Sequence, residues 1–151
     1  MKIYVSGLYC GGNPQPGVGI VRSLRDAFPN ATVVGVEYSN RVSGIHWEGL
    51  DELRIERPWH ELDLGSHGEQ VREILDAGGL WISGSDLEAM WLADVFPSGH
   101  PNLLAPGMAA LKQITKPEVA AAHHLPIKIP PFISSTDKSD WDLHAFCREH
   151  N

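Results

Sequence analysis

Cysteine is scarce in this sequence: of its 151 residues only Cys10 and Cys147 carry a thiol. They lie far apart and neither has a second cysteine near it, which excludes a disulfide framework and argues against a zinc site. We interpret both as free thiols, which are typical of a reducing compartment. The composition therefore predicts a cytoplasmic protein.

Long apolar runs and an excess of basic residues are also absent. No stretch approaches the ~20 apolar residues that a membrane helix needs, and the chain begins with a strand pattern where a signal peptide would stand. Twelve Lys and Arg against nineteen Asp and Glu give a net charge of −7, which excludes a broad attraction to nucleic acid or anionic lipid. We expect neither as a partner.

The organising stretch is the N-terminal part, a strand followed by a glycine-rich loop and a helix. Lys2 to Ser6 is a β-branched and aromatic run, and residues 7–19 contain the glycine loop. Ile20, Leu24 and Phe28 then recur every four residues, which predicts one apolar helix face. Strand, loop and helix form the first half of a βαβ unit, so we expect a parallel sheet with a ligand outside the carboxyl ends of its strands.

The rest of residues 1–105 continues this alternation around one long irregular segment, residues 39–67. Ser85 and Glu88 fit a capping box, in which Glu88 reaches back to the start of its helix. The further predicted elements are a strand over 31–38, a short strand over 53–55, a helix over 68–77, a strand over 80–83, a helix from 85 to about 96, and a strand over 102–105. Residues 1–105 thus predict an α/β, Rossmann-like three-layer domain with a mainly parallel sheet of four or five strands.

Residues 106–151 predict helices joined by an extended connector. Short helical patterns cover 108–114 and 116–124, the prolines of 125–133 exclude a helix there, and a last helix covers 139–150. We expect this second region to be a helical connector that follows the Rossmann-like domain.

The glycine loop matches no strong nucleotide motif. Gly17 and Gly19 lack the third glycine of a dinucleotide fingerprint, and no Gly-Lys-Ser/Thr closes the loop as in a Walker A motif. Two interpretations stay open: a purely structural loop, or direct ligand contact through the helix start. Glu37 lies near the position where an acid grips a ribose in dinucleotide folds. None of the histidines follows a metal motif, so we predict no metal site in this chain.

The order of these elements, with Leu103-Leu104-Ala105-Pro106, Lys116 at a helix start and the connector Leu125-Pro-Ile-Lys-Ile-Pro130, resembles the pre-ATP-grasp domain of the ATP-grasp superfamily. That superfamily includes biotin carboxylase, carbamoyl phosphate synthetase and carboxylate-amine ligases. Thr115 stands where many members have aspartate, and Pro117 departs from the pattern as well.

The resemblance implies the N-terminal part of a ligase that uses ATP and Mg²⁺ to activate a small-molecule carboxylate as an acyl phosphate. Lys116 would contact the nucleotide phosphates, and Gly11, Gly12, Gly17, Gly19 and Glu37 would frame the substrate side. The chain itself would supply no catalytic residue and would be inactive alone, because the ATP-clamping subdomain would lie beyond Asn151.

Other interpretations remain at this point. Glu37 and the glycine loop also suit a stand-alone Rossmann-like module that binds a nucleotide or cofactor. The aromatic residues of 39–67 suit a protein-binding surface, and a homodimer stays open. The residues do not indicate which carboxylate and nucleophile a ligase would join.

Overall fold

A computed structural model describes residues 1–11 and 14–105. Within them lies one five-stranded sheet of order β3-β2-β1-β4-β5, in which every pairing is parallel. The elements are β1 (Lys2–Ser6), α1 (Gly17–Ala27), β2 (Thr32–Glu37), β3 (Glu52–Ile55), α2 (Leu64–Asp76), β4 (Leu80–Ile82), α3 (Asp86–Val95) and β5 (Leu103–Leu104). This confirms the predicted α/β, Rossmann-like three-layer class. The helices and connector predicted for 106–151 lie outside the described residues, as does Lys116.

The three layers follow from the alternation of side chains along the strands. On β1, Ile3 and Val5 point to the face covered by α1, where they pack with Val21 and Val33. Trp81 of β4 lies on the opposite face, in a cluster with residues of α2 and α3 that includes Val71, Leu75, Leu92 and Phe96. Each fully buried aliphatic side chain of this kind contributes about 1.5–3 kcal/mol. The sheet is therefore a middle layer with a core on each side.

One detail of α1 differs from the sequence prediction. Val21 and Leu24 are its buried apolar side chains and Ile20 is half-buried, whereas Phe28 is 50% exposed. The helix ends at Ala27, and Phe28 follows with φ −134° and ψ 66°. Because that backbone conformation is not helical, the Phe28 side chain leaves the apolar face that a continued helix would have given it.

The α2 helix begins four residues before its predicted start. Asp63 precedes it and accepts hydrogen bonds from the amides of Gly65 at 3.1 Å and Ser66 at 3.3 Å. This is a side-chain N-cap, which stabilises a helix by about 1 kcal/mol. The cap allows the poor helix formers Gly65 and Ser66 to join the first turn.

The capping box predicted at Ser85 and Glu88 is wrong. Helix α3 does begin directly after Ser85, but the Ser85 side chain makes no capping hydrogen bond. Glu88 is fully buried and turned toward the sheet. Local spacing suggested that the Glu88 side chain reaches back along the helix, whereas Ser6 on β1 and Tyr38 directly after β2 hold this carboxylate inside the domain.

The irregular segment after β2 is attached to the sheet at several points. The short strand predicted at 53–55 is present as β3, and it pairs with β2 at the sheet edge. Arg25 donates to the Gly49 carbonyl at 2.7 Å and pairs with Asp51 at 2.5 Å, and Asp51 also accepts the Val33 amide at 2.7 Å. No helix of the described residues is long and apolar enough to cross a membrane.

Candidate functional site

The carboxyl ends of β1 and β4 mark the place where the strand order reverses. From β1 the chain moves outward to β2 and β3, then crosses back to β4 on the other side of β1. In open parallel sheets, ligands bind outside the strand ends at such a switch point. The glycine loop after β1 and the turn after β4 both begin here.

Glycines bring these two loops and the start of α1 into close contact. Gly7 has φ +72°, a left-handed conformation that glycine adopts without strain, and its carbonyl accepts the Gly17 amide at 2.9 Å. A Cβ on Gly17 would overlap the carbonyls of Ser6 and Gly7, and one on Gly84 would overlap the Ser6 carbonyl. Gly7, Gly17 and Gly84 are therefore required for packing at the switch point.

Of the predicted glycines, Gly19 has a different environment from Gly17. A Cβ on Gly19 would meet no atom within 4 Å, and the residue borders an open groove of about 810 Å³ along α1 that Pro16, Ile20 and Phe28 also line. A Cβ on Gly11 would overlap the Tyr9 ring. Gly12 lies outside the described residues. Among the described candidates, Gly19 is thus the one that faces open space.

Glu37 lies at the predicted strand end but its carboxylate points inward. The residue is only 6% exposed, and Oε1 accepts the backbone amide of Leu8 in the loop after β1. Burial raises the pKa of Glu37 above its ordinary value, and the amides of Leu8 and Tyr38 partly oppose that shift. The side chain holds the loop to β2, which leaves it poorly placed for a ligand ribose.

A buried chain of polar side chains, here called the Glu88 network, crosses the other face of the sheet near the same strand ends. Glu88 accepts the Ser6 hydroxyl at one carboxylate oxygen and the Tyr38 hydroxyl at the other, at 2.6 Å. The Tyr38 oxygen also lies 3.2 Å from Nε2 of His67. Ser6 Oγ in turn accepts the Gly84 amide at 3.2 Å. The network therefore joins β1, the residue after β2, α2, α3 and the turn after β4.

Electrostatics assign protonation states to two members of the network. Burial, and then the nearby Glu88 carboxylate, raise the pKa of Tyr38, so its phenol stays protonated as a donor. Burial lowers the pKa of His67, although the carboxylates of Glu56 and Glu88 favour its charged form. The imidazole is therefore neutral at neutral pH, with one N–H donor and one acceptor nitrogen.

Sequence reasoning did not identify the Glu88 network, although the helical periodicity contains the signal. His67 precedes Val71 and Leu75 by four and eight residues, which places it on the buried face of α2. Glu88 likewise shares the buried face of α3 with Leu92. A polar residue on an apolar stripe predicts a buried partner, and Tyr38 is that partner for both.

Neither potential metal ligands among the described residues nor comparison with known proteins assigns a ligand to this site. Within residues 1–11 and 14–105, no three His, Cys, Asp or Glu side chains are grouped as metal ligands. No protein-family model matches the sequence, and no curated protein or solved structure is similar enough to count as a relative.

Proposed function

We propose that this chain is the N-terminal, pre-ATP-grasp part of an ATP-dependent ligase and forms the substrate side of its site. In the overall reaction a substrate carboxylate attacks the γ-phosphorus of ATP, which forms an acyl phosphate and releases ADP. A nucleophile such as an amine then attacks the acyl carbon, and inorganic phosphate leaves. The role of this chain is to bind and orient the carboxylate.

The observation that best distinguishes this proposal from a stand-alone cofactor module is the inward orientation of Glu37, which also removes Glu37 from the substrate contacts that the resemblance implied. A dinucleotide-binding module needs an exposed acid near that position to grip the ribose, whereas Glu37 is buried against the Leu8 amide. The parallel sheet with its switch point between β1 and β4 is the scaffold that the family resemblance requires. Together they favour a substrate-side domain over a stand-alone cofactor module.

The start of α1 offers a way to bind a substrate carboxylate. The first amides of a helix have no intrahelical partner, and among residues 1–11 and 14–105 only that of Gly17 has one, the Gly7 carbonyl. The amides of Val18 and Gly19 follow at the positive end of the helix dipole, beside the open groove at Gly19. Carboxylates bind favourably at such helix starts.

Nucleotide and magnesium would be held mainly by residues other than those described. Residues 1–11 and 14–105 contain no grouping of acids for a metal ion, so no magnesium ligand is assigned to them. Lys116 is the proposed phosphate contact, by the family resemblance. When bound, ATP supplies the phosphoryl group; the residues around Gly19 orient the carboxylate that receives it.

The proposal is tested by trapping the acyl phosphate. An affinity tag is placed on this chain in its native host, the functional protein is purified, and a panel of small carboxylates is added with ATP, Mg²⁺ and hydroxylamine. We expect ADP release and hydroxamate formation with one class of carboxylate. Enzyme-like ATP hydrolysis by residues 1–151 alone would contradict the proposal, as would the absence of hydroxamate across the panel.

Calorimetry on residues 1–151 separates the ligase part from the stand-alone module. Titrations with NAD, FAD and ATP should show no tight binding if the nucleotide clamp is elsewhere. A dissociation constant in the low micromolar range for any of them, about −8 kcal/mol, would favour the cofactor module.

A further inference from the structure

The strand β3 forms one edge of the sheet and is exposed along its whole length. It stands last in the order β3-β2-β1-β4-β5, so within residues 1–11 and 14–105 it pairs with a strand on one side only. All four of its residues are exposed, including the apolar Leu53 at 42% and Ile55 at 43%. An open edge that carries apolar side chains is a template for pairing with another strand.

The hydrogen-bond pattern identifies the backbone groups that this edge presents. The Glu56 amide donates to the Glu37 carbonyl at 2.8 Å, so Glu56 bonds toward β2. Because amides and carbonyls point to alternate sides along a strand, Arg54 bonds toward β2 as well. The amides and carbonyls of Leu53 and Ile55 therefore point away from the sheet, where no described residue bonds to them.

The side chains of β3 are divided between the two faces of the sheet. Leu53 and Ile55 lie on the α1 side, in register with the β2 residues of that face. Glu52 and Arg54 lie on the opposite side and carry opposite charges. Glu52 pairs with Lys2 at 2.7 Å, but its side chain and that of Arg54 are both half-exposed. The edge thus combines free backbone groups, an apolar side and two accessible charges.

We propose that β3 pairs with β3 of a second copy of this chain, antiparallel and centred on Leu53. In a twofold-symmetric dimer of this kind, Leu53 of one copy lies opposite Leu53 of the other, and the two exchange amide-to-carbonyl hydrogen bonds. Glu52 of each copy then lies opposite Arg54 of the other, so two pairs of opposite charge flank the centre. Leu53 and Ile55 of both copies form one apolar strip on the α1 side. This dimer does not depend on ligase activity.

Charge selects both the partner and the register. Charged edge strands normally prevent pairing with other chains, whereas the order Glu52-Leu53-Arg54 is complementary to itself when it is reversed. The neighbouring register would place Arg54 opposite Arg54 and Glu52 opposite Glu56, which are like charges. Because the strand has only four residues, the interface is small. We expect a dissociation constant between about 1 µM and 1 mM.

Dimer formation is tested on the chain of residues 1–151 by sedimentation velocity and small-angle X-ray scattering. Concentrations from about 1 µM to about 1 mM cover the expected dissociation constants. We expect the mass to rise from that of the monomer toward that of the dimer. A monomer throughout this range would overturn the proposal.

Charge reversal tests the pairing of Glu52 with Arg54. Glu52→Arg and Arg54→Glu each place like charges at both pairs of the homodimer, and each should raise the dissociation constant at least about tenfold. In an equimolar mixture of the two variants every pair is again opposite in charge, so a heterodimer should form about as tightly as the unaltered dimer. Glu69→Arg, which removes another exposed ion pair, is the matched control and should dimerise normally. Normal homodimers of both variants, or a mixture that stays monomeric, would overturn the proposal.

A proline variant tests the backbone hydrogen bonds. Leu53→Pro removes the amide that points away from β2, and proline is tolerated at such edge positions. It should abolish dimerisation, while Leu53→Val, which also shortens the side chain but keeps the amide, should still dimerise. Circular dichroism confirms that both variants are folded, and the charge-reversal mixture decides the question if Leu53→Pro is not. A folded Leu53→Pro variant that dimerises like Leu53→Val would show that the copies do not pair along β3.

Discussion

Tyr38→Phe removes one oxygen atom from the centre of the Glu88 network and leaves the ring in place. Two hydrogen bonds are lost with it: the one donated to Glu88 at 2.6 Å and the one accepted from His67 at 3.2 Å. The ring still packs on Trp59, 4.3 Å away between centroids. The substitution therefore isolates the polar contribution of Tyr38 to stability.

The expected loss follows from those two contacts. A hydrogen bond to a charged group contributes about 1.5–3 kcal/mol and a neutral one about 0.5–1.5 kcal/mol. Their sum predicts that Tyr38→Phe lowers the free energy of unfolding by about 2–4.5 kcal/mol. Since a domain of this size is stable by roughly 5–15 kcal/mol, the loss is a large fraction of the total.

Urea denaturation, followed by tryptophan fluorescence and far-UV circular dichroism, measures this loss. Tyr4→Phe is the matched control, because Tyr4 stacks on Trp81 and its hydroxyl has no hydrogen-bond partner within the described residues. The control should change stability by less than about 0.5 kcal/mol. If Tyr38→Phe and Tyr4→Phe had the same small effect, the Glu88 network would not contribute to stability as argued here.

Two further predictions concern the glycine loop and the inward-facing acid. Gly17→Ala should lower the free energy of unfolding by about 3 kcal/mol, because its Cβ overlaps backbone carbonyls. Gly19→Ala should raise it by about 0.5–1 kcal/mol, because its Cβ meets open space. Equal effects of the two variants in thermal unfolding would contradict the packing argument. Burial raises the pKa of Glu37 in the folded state above its ordinary 4.5. As pH rises, the unfolded chain therefore releases this proton before the folded protein does. The free energy of unfolding then falls from about pH 4.5 up to the pKa of the folded state. In Glu37→Gln, which keeps an oxygen for the Leu8 amide, unfolding free energies measured across that range should lack this fall, and an unchanged profile would refute the assignment.

Within residues 1–105 the sequence was sufficient for the order and type of the elements, because clear signals separate them. The apolar run of β2 and the glycines after α2 give the order and type of elements without tertiary information. A short strand was also predicted at 53–55, inside the long irregular segment, and β3 lies there. Element boundaries were less accurate: α2 starts early because Asp63 caps it, and Phe28 leaves its helix face because α1 ends first.

The candidate site was less predictable because its polar groups are defined by partners far away in sequence. Glu88 looks like a capping residue from its neighbours, and its true partner Tyr38 is fifty positions earlier. Glu37 was correctly placed at a strand end, but only the loop fold determines that its carboxylate meets the Leu8 amide. Local spacing predicts which residue types occur at a helix start. It does not predict whether such a side chain caps its own helix or contacts a partner elsewhere in the domain.

Glu37 and Glu88, the two acids that turn inward, hold the strand ends from opposite faces of the sheet. Glu37 fixes the loop after β1 from the α1 side of the sheet, and Glu88 fixes the end of β1 from the opposite side through Ser6. Because Ser6 also accepts the Gly84 amide, both loops of the switch point are held from within the core. The amides of Leu8 and Gly84 are used in these contacts, which fix both loops relative to β1. Such a rigid frame favours binding, since little conformational entropy is lost when a ligand docks.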